Sequence, residues 1–232
     1  MASSAGVWSF MSAVIRLPIF PLPDVVLFPH TVLPLHIFEP RYRQMVQECL
    51  AGDKRLAMAL LKPGWEKDYY GRPPIYPIAG AGEIVQHEEL PDGRFNILVR
   101  GTLRIGITTE LPPDKPYRIV RARPLADRYP DEDLESLATR IERLKVFYLR
   151  IVSEIQKGQE ETAKIFSGVK DPAIIVDRIA GAVISDTEAR QKVLECVDVP
   201  ARFSLVQEFL VGTLAHISDR NTPSDRGSGR QN

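Results

Sequence analysis

Apolar residues recur with a period of two along the first half of this chain and with a period near 3.6 along the second. Val14 to Phe20 alternates and reads as a strand, with Pro18 assigning it to an edge or a bulge. Leu33, Leu35 and Ile37 alternate with Pro34, His36 and Phe38, the pattern of a strand with one buried face. At Pro40 the spacing changes. Tyr42, Met45, Val46, Cys49 and Leu50 fall on one face of a short helix. Pro40 suits the first helical position because its missing N–H would be unpaired there anyway. Glu39 meets the positive end of the helix dipole, and Gly52 is expected to provide a left-handed stop. A strand that turns directly into an amphipathic helix is expected to plug one end of a small barrel.

Leu56 to Leu61 is a continuous apolar run, read as a strand buried on both faces. Lys62 to Pro77 reads as a long loop. Glu83–His87 and Phe95–Val99 flank a hairpin at Pro91-Asp92-Gly93, where Gly93 supplies positive φ. Gly101 permits a bend, Leu103–Ile107 continues, and Tyr117–Leu125 completes a set of six to eight strands, which predicts a closed or nearly closed β-barrel. From Asp131 the period is helical. Leu134, Leu137, Ile141, Leu144, Tyr148, Ile151 and Ile155 form a seam along one helix ending near Gly158. Residues 161–167 read as a brief helix. Asp171-Pro172 opens a helix burying Ile175, Ile179 and Val183. Ser185 and Glu188 have capping-box spacing before Val193, Leu194 and Val197. Asp198 and Pro200 open a last helix carrying Phe203, Val206, Leu210, Leu214 and Ile217. These helices are expected to cover the seam within one chain, giving a monomer or weak dimer.

The fold class predicted is α+β, a β-barrel followed by a C-terminal helical bundle. Its parts are a flexible extension over 1–13 (with Met11 as an alternative start), a barrel over 14–126, a helical part over 127–217 and a disordered tail over 218–232. Composition narrows the function. The chain has 232 residues with 30 basic and 30 acidic side chains, so net charge is zero, against a main task of gripping a nucleic-acid backbone. Two cysteines and four scattered histidines lack metal-ligand spacing; no metal or cofactor is expected. Cys49 and Cys196 read as small buried apolar groups in a reducing, cytoplasmic setting. No apolar run approaches the ~20 residues of a membrane span.

The stretch Pro34-Leu35-His36-Ile37-Phe38-Glu39-Pro40-Arg41-Tyr42-Arg43-Gln44-Met45 resembles the signature of the Lon protease N-terminal, substrate-binding domain. Leu17-Pro18-Ile19-Phe20-Pro21-Leu22 through Leu27-Phe28-Pro29 is similar to that domain's opening. Asp92 to Gly101 is similar to its central hairpin. Asp177-Arg178-Ile179-Ala180, the Glu188 helix and Asp198-Val199-Pro200-Ala201-Arg202 are similar to its helical tail. The resemblance spans about residues 14–215. It implies a PUA-like barrel and a helical bundle that recognise unfolded protein or peptide segments in the service of proteolysis or quality control, with a protease as a further partner. The G-x-x-x-x-G-K-[ST] nucleotide loop of Lon's ATPase module is absent, as is room for its Ser-Lys protease domain. The expectation is a free-standing, non-catalytic module. A PUA-like small-ligand or nucleic-acid-binding module and an uncharacterised hydrolase are the alternatives.

The long loop is the leading partner-binding candidate, because it gathers Trp65, Tyr69, Tyr70 and Arg72 among prolines and glycines. An apolar groove between barrel and helices, edged by this loop, would take up extended segments. The competing expectation is that Trp65 folds back to seal the barrel. His36, Phe38, Glu39, Pro40, Arg41, Tyr42 and Arg43 read as a structural corner held by ion pairs and hydrogen bonds. In the hydrolase alternative His36 would act as a base with Glu39; Ser167 near Lys170 reads as a solvated cap. Arg118, Arg121 and Arg123 form a local basic strand, which together with the PUA-like barrel is what favours RNA.

Overall fold

The computed structural model describes residues 13–130, 134–154 and 165–221. The order is β1 (Ile15–Leu22), β2 (Val32–Ile37), α1 (Pro40–Ala51), β3 (Arg55–Leu60), a 3-10 turn (Trp65–Asp68), β4 (Ile78–Glu89), β5 (Phe95–Glu110), β6 (Arg118–Leu125), α2 (Leu134–Glu154), α3 (Pro172–Val183), α4 (Thr187–Glu195) and α5 (Val199–Asn221). It is the α+β architecture expected, a strand-rich half followed by helices. Most of the proposed extension, residues 155–164 and residues 222–232 lie outside the described residues, and with them the end of the seam helix and most of the brief helix.

Strands pair in the order β2-β5-β4-β3-β1-β6, and β5 also pairs with β6. That second pairing closes β1, β3, β4, β5 and β6 into a ring, with β2 added on the first half of β5. One strand can serve two neighbours on the same side because β5 runs for 16 residues. The sequence reading has Gly101 permit a bend, after which Leu103–Ile107 continues. In the structure Thr102 bulges out, where Ala81 pairs with Leu103 and Gly82 with Gly101, and the strand bends and continues.

The two faces of the ring have different chemistry. Arg104 points outward to the helices, so its neighbour Ile105 points into the ring. Ile105 belongs to a layer with Leu17, Ile19, Ala57, Ala59, Ala79, Ala81, Val120 and Ala122. Alanines from β3, β4 and β6 leave room for Leu17 and Ile19 of β1, Ile105 of β5 and Val120 of β6, so the lumen is filled by side chains. Helix α1 therefore does not stopper the lumen. Its Tyr42, Met45, Val46 and Cys49 pack on an outer flank with Phe20, Leu56, Met58, Ile84, Phe95 and Ile97.

The β1–β2 connection crosses that flank through two close approaches. A Cβ at Gly80 would lie 1.9 Å from the Leu27 carbonyl oxygen, and one at Gly101 would lie 2.0 Å from that of Phe28. Glycine at these positions lets the connection lie on the sheet. Leu27 then packs on the strand side, while Val26 and Phe28 join Leu144, Tyr148, Ile151, Ile179, Phe203 and Val206 among the helices.

Several helix ends differ from expectation. Asp171 caps α3 as predicted, accepting from Ala173 N at 2.9 Å. At α4 the cap is Asp186, accepting from Ala189 N at 2.7 Å, one residue beyond the serine of the expected capping box. Gly52 has φ −110°, and Lys54 takes the left-handed conformation at φ 60°. Helix α5 continues to Asn221, past the Ser218 proposed as the start of the tail; a helix needs no apolar residue in its last turn.

A buried ionic cluster joins ring to bundle. Asp177 on α3 accepts from Arg104 at 2.9 and 2.5 Å and from Arg202 at 3.1 Å. Arg104 Nε donates to the Leu194 carbonyl at 2.9 Å, and Arg202 also pairs with Asp127. Arg104, Asp177 and Arg202 are at most 2 % exposed. Removing one charge from such a set strands the others without water. Asp177→Asn is expected to destabilise the fold by about 3–5 kcal/mol, read from urea unfolding midpoints; a loss below ~1 kcal/mol would be the range of an exposed pair and would contradict this assignment.

Candidate functional site: the Glu39 corner and the open sheet face

Only Phe38 and Glu39 separate the end of β2 from the start of α1. The turn is held by the Glu39 carboxylate, although this side chain makes no capping bond to the helix. Oε2 accepts from Arg41 Nε at 3.0 Å, and Oε1 accepts from the Tyr69 hydroxyl at 2.6 Å. The Arg41 guanidinium lies 4.6 Å from the Tyr42 ring centre, 5.2 Å from Tyr69 and 5.8 Å from Tyr70. Trp65 packs edge-on to Tyr69 at 5.6 Å, and Tyr69 to Tyr70 at 5.2 Å. Gly71 closes the turn by donating to the Asp68 carbonyl. Arg43 turns the other way and lies over Gly93 of the β4–β5 hairpin, where a Cβ would be 2.1 Å from Nη2.

Two aromatics next to this corner face solvent: Phe38 is 60 % exposed and Tyr70 86 %. Phe38 stacks with His36, ring centres 6.4 Å apart. His36 begins the outer face of β2–β5–β4, an open groove of about 460 Å³ lined by Pro34 on β2, Asn96 and Leu98 on β5 and Gln86 and Glu88 on β4. A polar ladder crosses it. His36 Nδ1 is 2.8 Å from Asn96 Oδ1, and Asn96 Nδ2 donates to Glu88 at 3.0 Å. Exposed Val32 and Val85 continue the apolar surface. On the other side of the corner a second cavity, about 250 Å³, lies between Tyr42, Tyr70 and Arg72 on one side and Lys115, Tyr117 and Arg118 on the other.

The family model of the ATP-dependent protease La (LON) substrate-binding domain matches residues 16–212. The chain belongs to this family. A Lon protease of Trichlorobacter lovleyi is 29% identical over 195 residues, which is 84% of this chain and 23% of that protein. A Lon protease of Geobacter metallireducens is 28% identical over 195 residues, with the same two shares. The chain thus spans about a quarter of the length of these relatives. In fold it is similar to the N-terminal domain of Mycobacterium avium complex Lon protease, with TM-score 0.66, 17% identity, and 85% of this chain and 98% of that one covered. A Lon N-terminal domain protein from Xanthomonas campestris has TM-score 0.59 at 20% identity, with 84% and 98% covered.

Within this Lon-type domain the expected corner residues come together, but in two groups. Glu39, Arg41 and Tyr42 form the corner with the loop residues Tyr69 and Tyr70. His36 belongs to the sheet face, hydrogen-bonded to Asn96 rather than Glu39, so the dyad of the hydrolase alternative is not formed. Trp65 is half-buried against Tyr69. A groove between barrel and helices does exist, about 380 Å³ between Leu33, Thr31, Gly181 and Arg190. The loop is not part of its wall; it folds over the start of α1 because Tyr69 is tied to Glu39. The basic strand is broken up as well. Arg118 is 7 % exposed and donates to Glu110 at 3.0 Å and to the Pro73 carbonyl at 2.9 Å. Cys49 is buried and its thiol is pushed up to about 12 by burial; Cys196 is only half-buried. Among the described residues no group of three or more His, Cys, Asp or Glu could hold a metal ion, and no helix is long and apolar enough to cross a membrane.

The Tyr69–Glu39 bond is the loop's charge-assisted tie to the domain. Tyr69→Phe is expected to speed amide exchange across residues 62–77 about tenfold or more with little change in the thermal midpoint; unchanged exchange would mean that packing alone holds the loop. A second tie is pH-sensitive. Glu48 accepts from Lys115, from the Tyr117 hydroxyl at 2.6 Å and from Gln44 at 3.0 Å. The Lys115 bond above all holds its carboxyl at about 2, below the ordinary 4.5. A carboxyl lowered on folding stabilises above its unfolded value and loses that contribution as pH falls through the folded one. Stability of Glu48→Gln should fall less steeply than wild type between pH 4.5 and about 2; parallel acid titrations would contradict this.

Proposed function

We propose that this chain is a non-catalytic recognition module that binds extended, apolar segments of unfolded protein. The observation that carries the reading is the match of a substrate-binding domain family over residues 16–212. The relatives bearing this domain are Lon proteases. By that relation the module serves proteolysis or protein quality control in the cytoplasm, with a protease as its partner.

The surface proposed runs along the open groove, past Phe38 and around the corner to Tyr70. Its support is physical. Phe38 and Tyr70 are exposed aromatics on rigid supports, the side chains that contribute most when a partner covers them. Pro34 and Leu98 give the groove an apolar patch, and the His36–Asn96–Glu88 ladder that crosses it is already internally hydrogen-bonded and competes little with a ligand. Pro34 lies mid-strand in β2, the edge strand of the sheet. A proline there interrupts the donors that a further strand would need. Recognition therefore works through side chains on the face rather than by extending the sheet. Trp65, Tyr69 and Arg72 frame Tyr70 and complete the proposed contact set.

Fluorescence anisotropy with a labelled, reduced and carboxymethylated polypeptide tests this. Phe38→Ala together with Tyr70→Ala should weaken binding about tenfold or more, with an unchanged thermal midpoint because both side chains are exposed. Wild-type binding that persists in the double variant would exclude this surface.

A further inference from the structure

The cavity beside Tyr70 has a charge pattern unlike that of the apolar groove. Four cations line it, Arg41, Arg72, Lys115 and Arg118, and no carboxylate does. Three of them have carboxylate partners outside the lining: Glu39 for Arg41, Glu48 for Lys115 and Glu110 for Arg118. Arg72 has none among the described residues. Its guanidinium donates to the Leu111 carbonyl at 3.1 Å and forms no ion pair. An exposed arginine held to a backbone carbonyl at a cavity mouth keeps donors for an incoming anion.

Tyr42 provides a second, independent sign. Its side chain is 4 % exposed and its hydroxyl makes no hydrogen bond to protein among the described residues, yet the oxygen is not sealed off: it is open to the cavity. Burial pushes this phenol up to about 12, so it remains a neutral donor. The ring is fixed against Phe20, centres 4.1 Å apart, while the hydroxyl end lines the cavity. A cavity-facing hydroxyl with no protein acceptor, a guanidinium with no ion pair and an absence of lining acids together suit an anionic acceptor.

We propose that this cavity receives the side-chain carboxylate of an aspartate or glutamate within the bound segment. The inference rests on the polypeptide-binding reading above and adds a chemical preference to it: apolar segments with an embedded acid. The Tyr42 hydroxyl and the Arg72 guanidinium donate to the carboxylate. Arg41 and Arg118 provide a positive surround. At about 250 Å³ the space suits one side chain rather than a folded element. Tyr70, above the mouth, covers the residue next to the acid.

Two rhodamine-labelled apolar decapeptides, one with a central glutamate and its glutamine twin, provide the test by anisotropy with the full chain. Wild type should bind the glutamate peptide about tenfold more tightly than the twin. Arg72→Gln should remove most of that preference. Tyr42→Phe should reduce it several-fold without lowering the thermal midpoint, because the hydroxyl that it removes has no partner in the free protein. Equal binding of the two peptides by wild type, or a preference that survives both substitutions together, overturns the carboxylate site while leaving the polypeptide-binding reading intact. Failure of wild type to bind either peptide overturns both.

Discussion

A single carboxylate sets the working geometry of this domain. Because β2 passes into α1 with only two residues between, the chain has no slack in which to place a flexible loop, and Glu39 must hold the turn. It does so by reaching sideways, to Arg41 and to Tyr69, rather than back to the helix N-terminus. The consequence is spatial. The 62–77 loop is drawn over the start of α1, Arg41 is held above three tyrosine rings, and Phe38 is left projecting on the other side. An apolar sheet face and a cationic cavity thus flank one rigid corner. Rigid supports reduce the entropy lost when a partner binds, so exposed aromatics on them are effective anchors.

Behind the corner the fold is held by two different devices. Shape joins the β1–β2 connection to the sheet, since Gly80 and Gly101 leave no Cβ between the strands and the carbonyls of Leu27 and Phe28. Charge joins the ring to the bundle, through Asp177 between Arg104 and Arg202. Such a cluster contributes little net energy when intact but opposes any other registry of helices on the ring, because every alternative leaves a buried charge unpaired. The helices accordingly hold one fixed position on the ring.

Much of this was legible in the sequence. The strand-to-helix change at Pro40 was readable because periods of two and 3.6 meet there without a break. The seam from Leu137 to Ile151 was readable because its partners on α5 repeat with a matching period. Long-range charge was not readable. Nothing local distinguishes Arg104 from the exposed Arg100 four residues before it; only the arrival of Asp177, 73 residues later, does. Register was equally hidden. The sequence places a bend at Gly101, but nothing in it shows the bulge at Thr102 that shifts the pairing of β5 with β4. In the site the sequence identified the aromatic loop and the corner separately. That they are one unit depends on the Tyr69–Glu39 bond across 30 residues. The unpartnered Tyr42 hydroxyl left no sequence signal, since the helical pattern assigns Tyr42 to the core, where its ring is indeed found.

The most direct measurement is a hydrogen-exchange footprint of the chain with and without a saturating reduced, carboxymethylated polypeptide. Protection concentrated in residues 32–38, 65–72 and 94–98, with α3 and α4 unchanged, is expected if the corner and its flanking sheet face form the recognition surface. Protection centred on the helical wall, with those three segments unaffected, would contradict it.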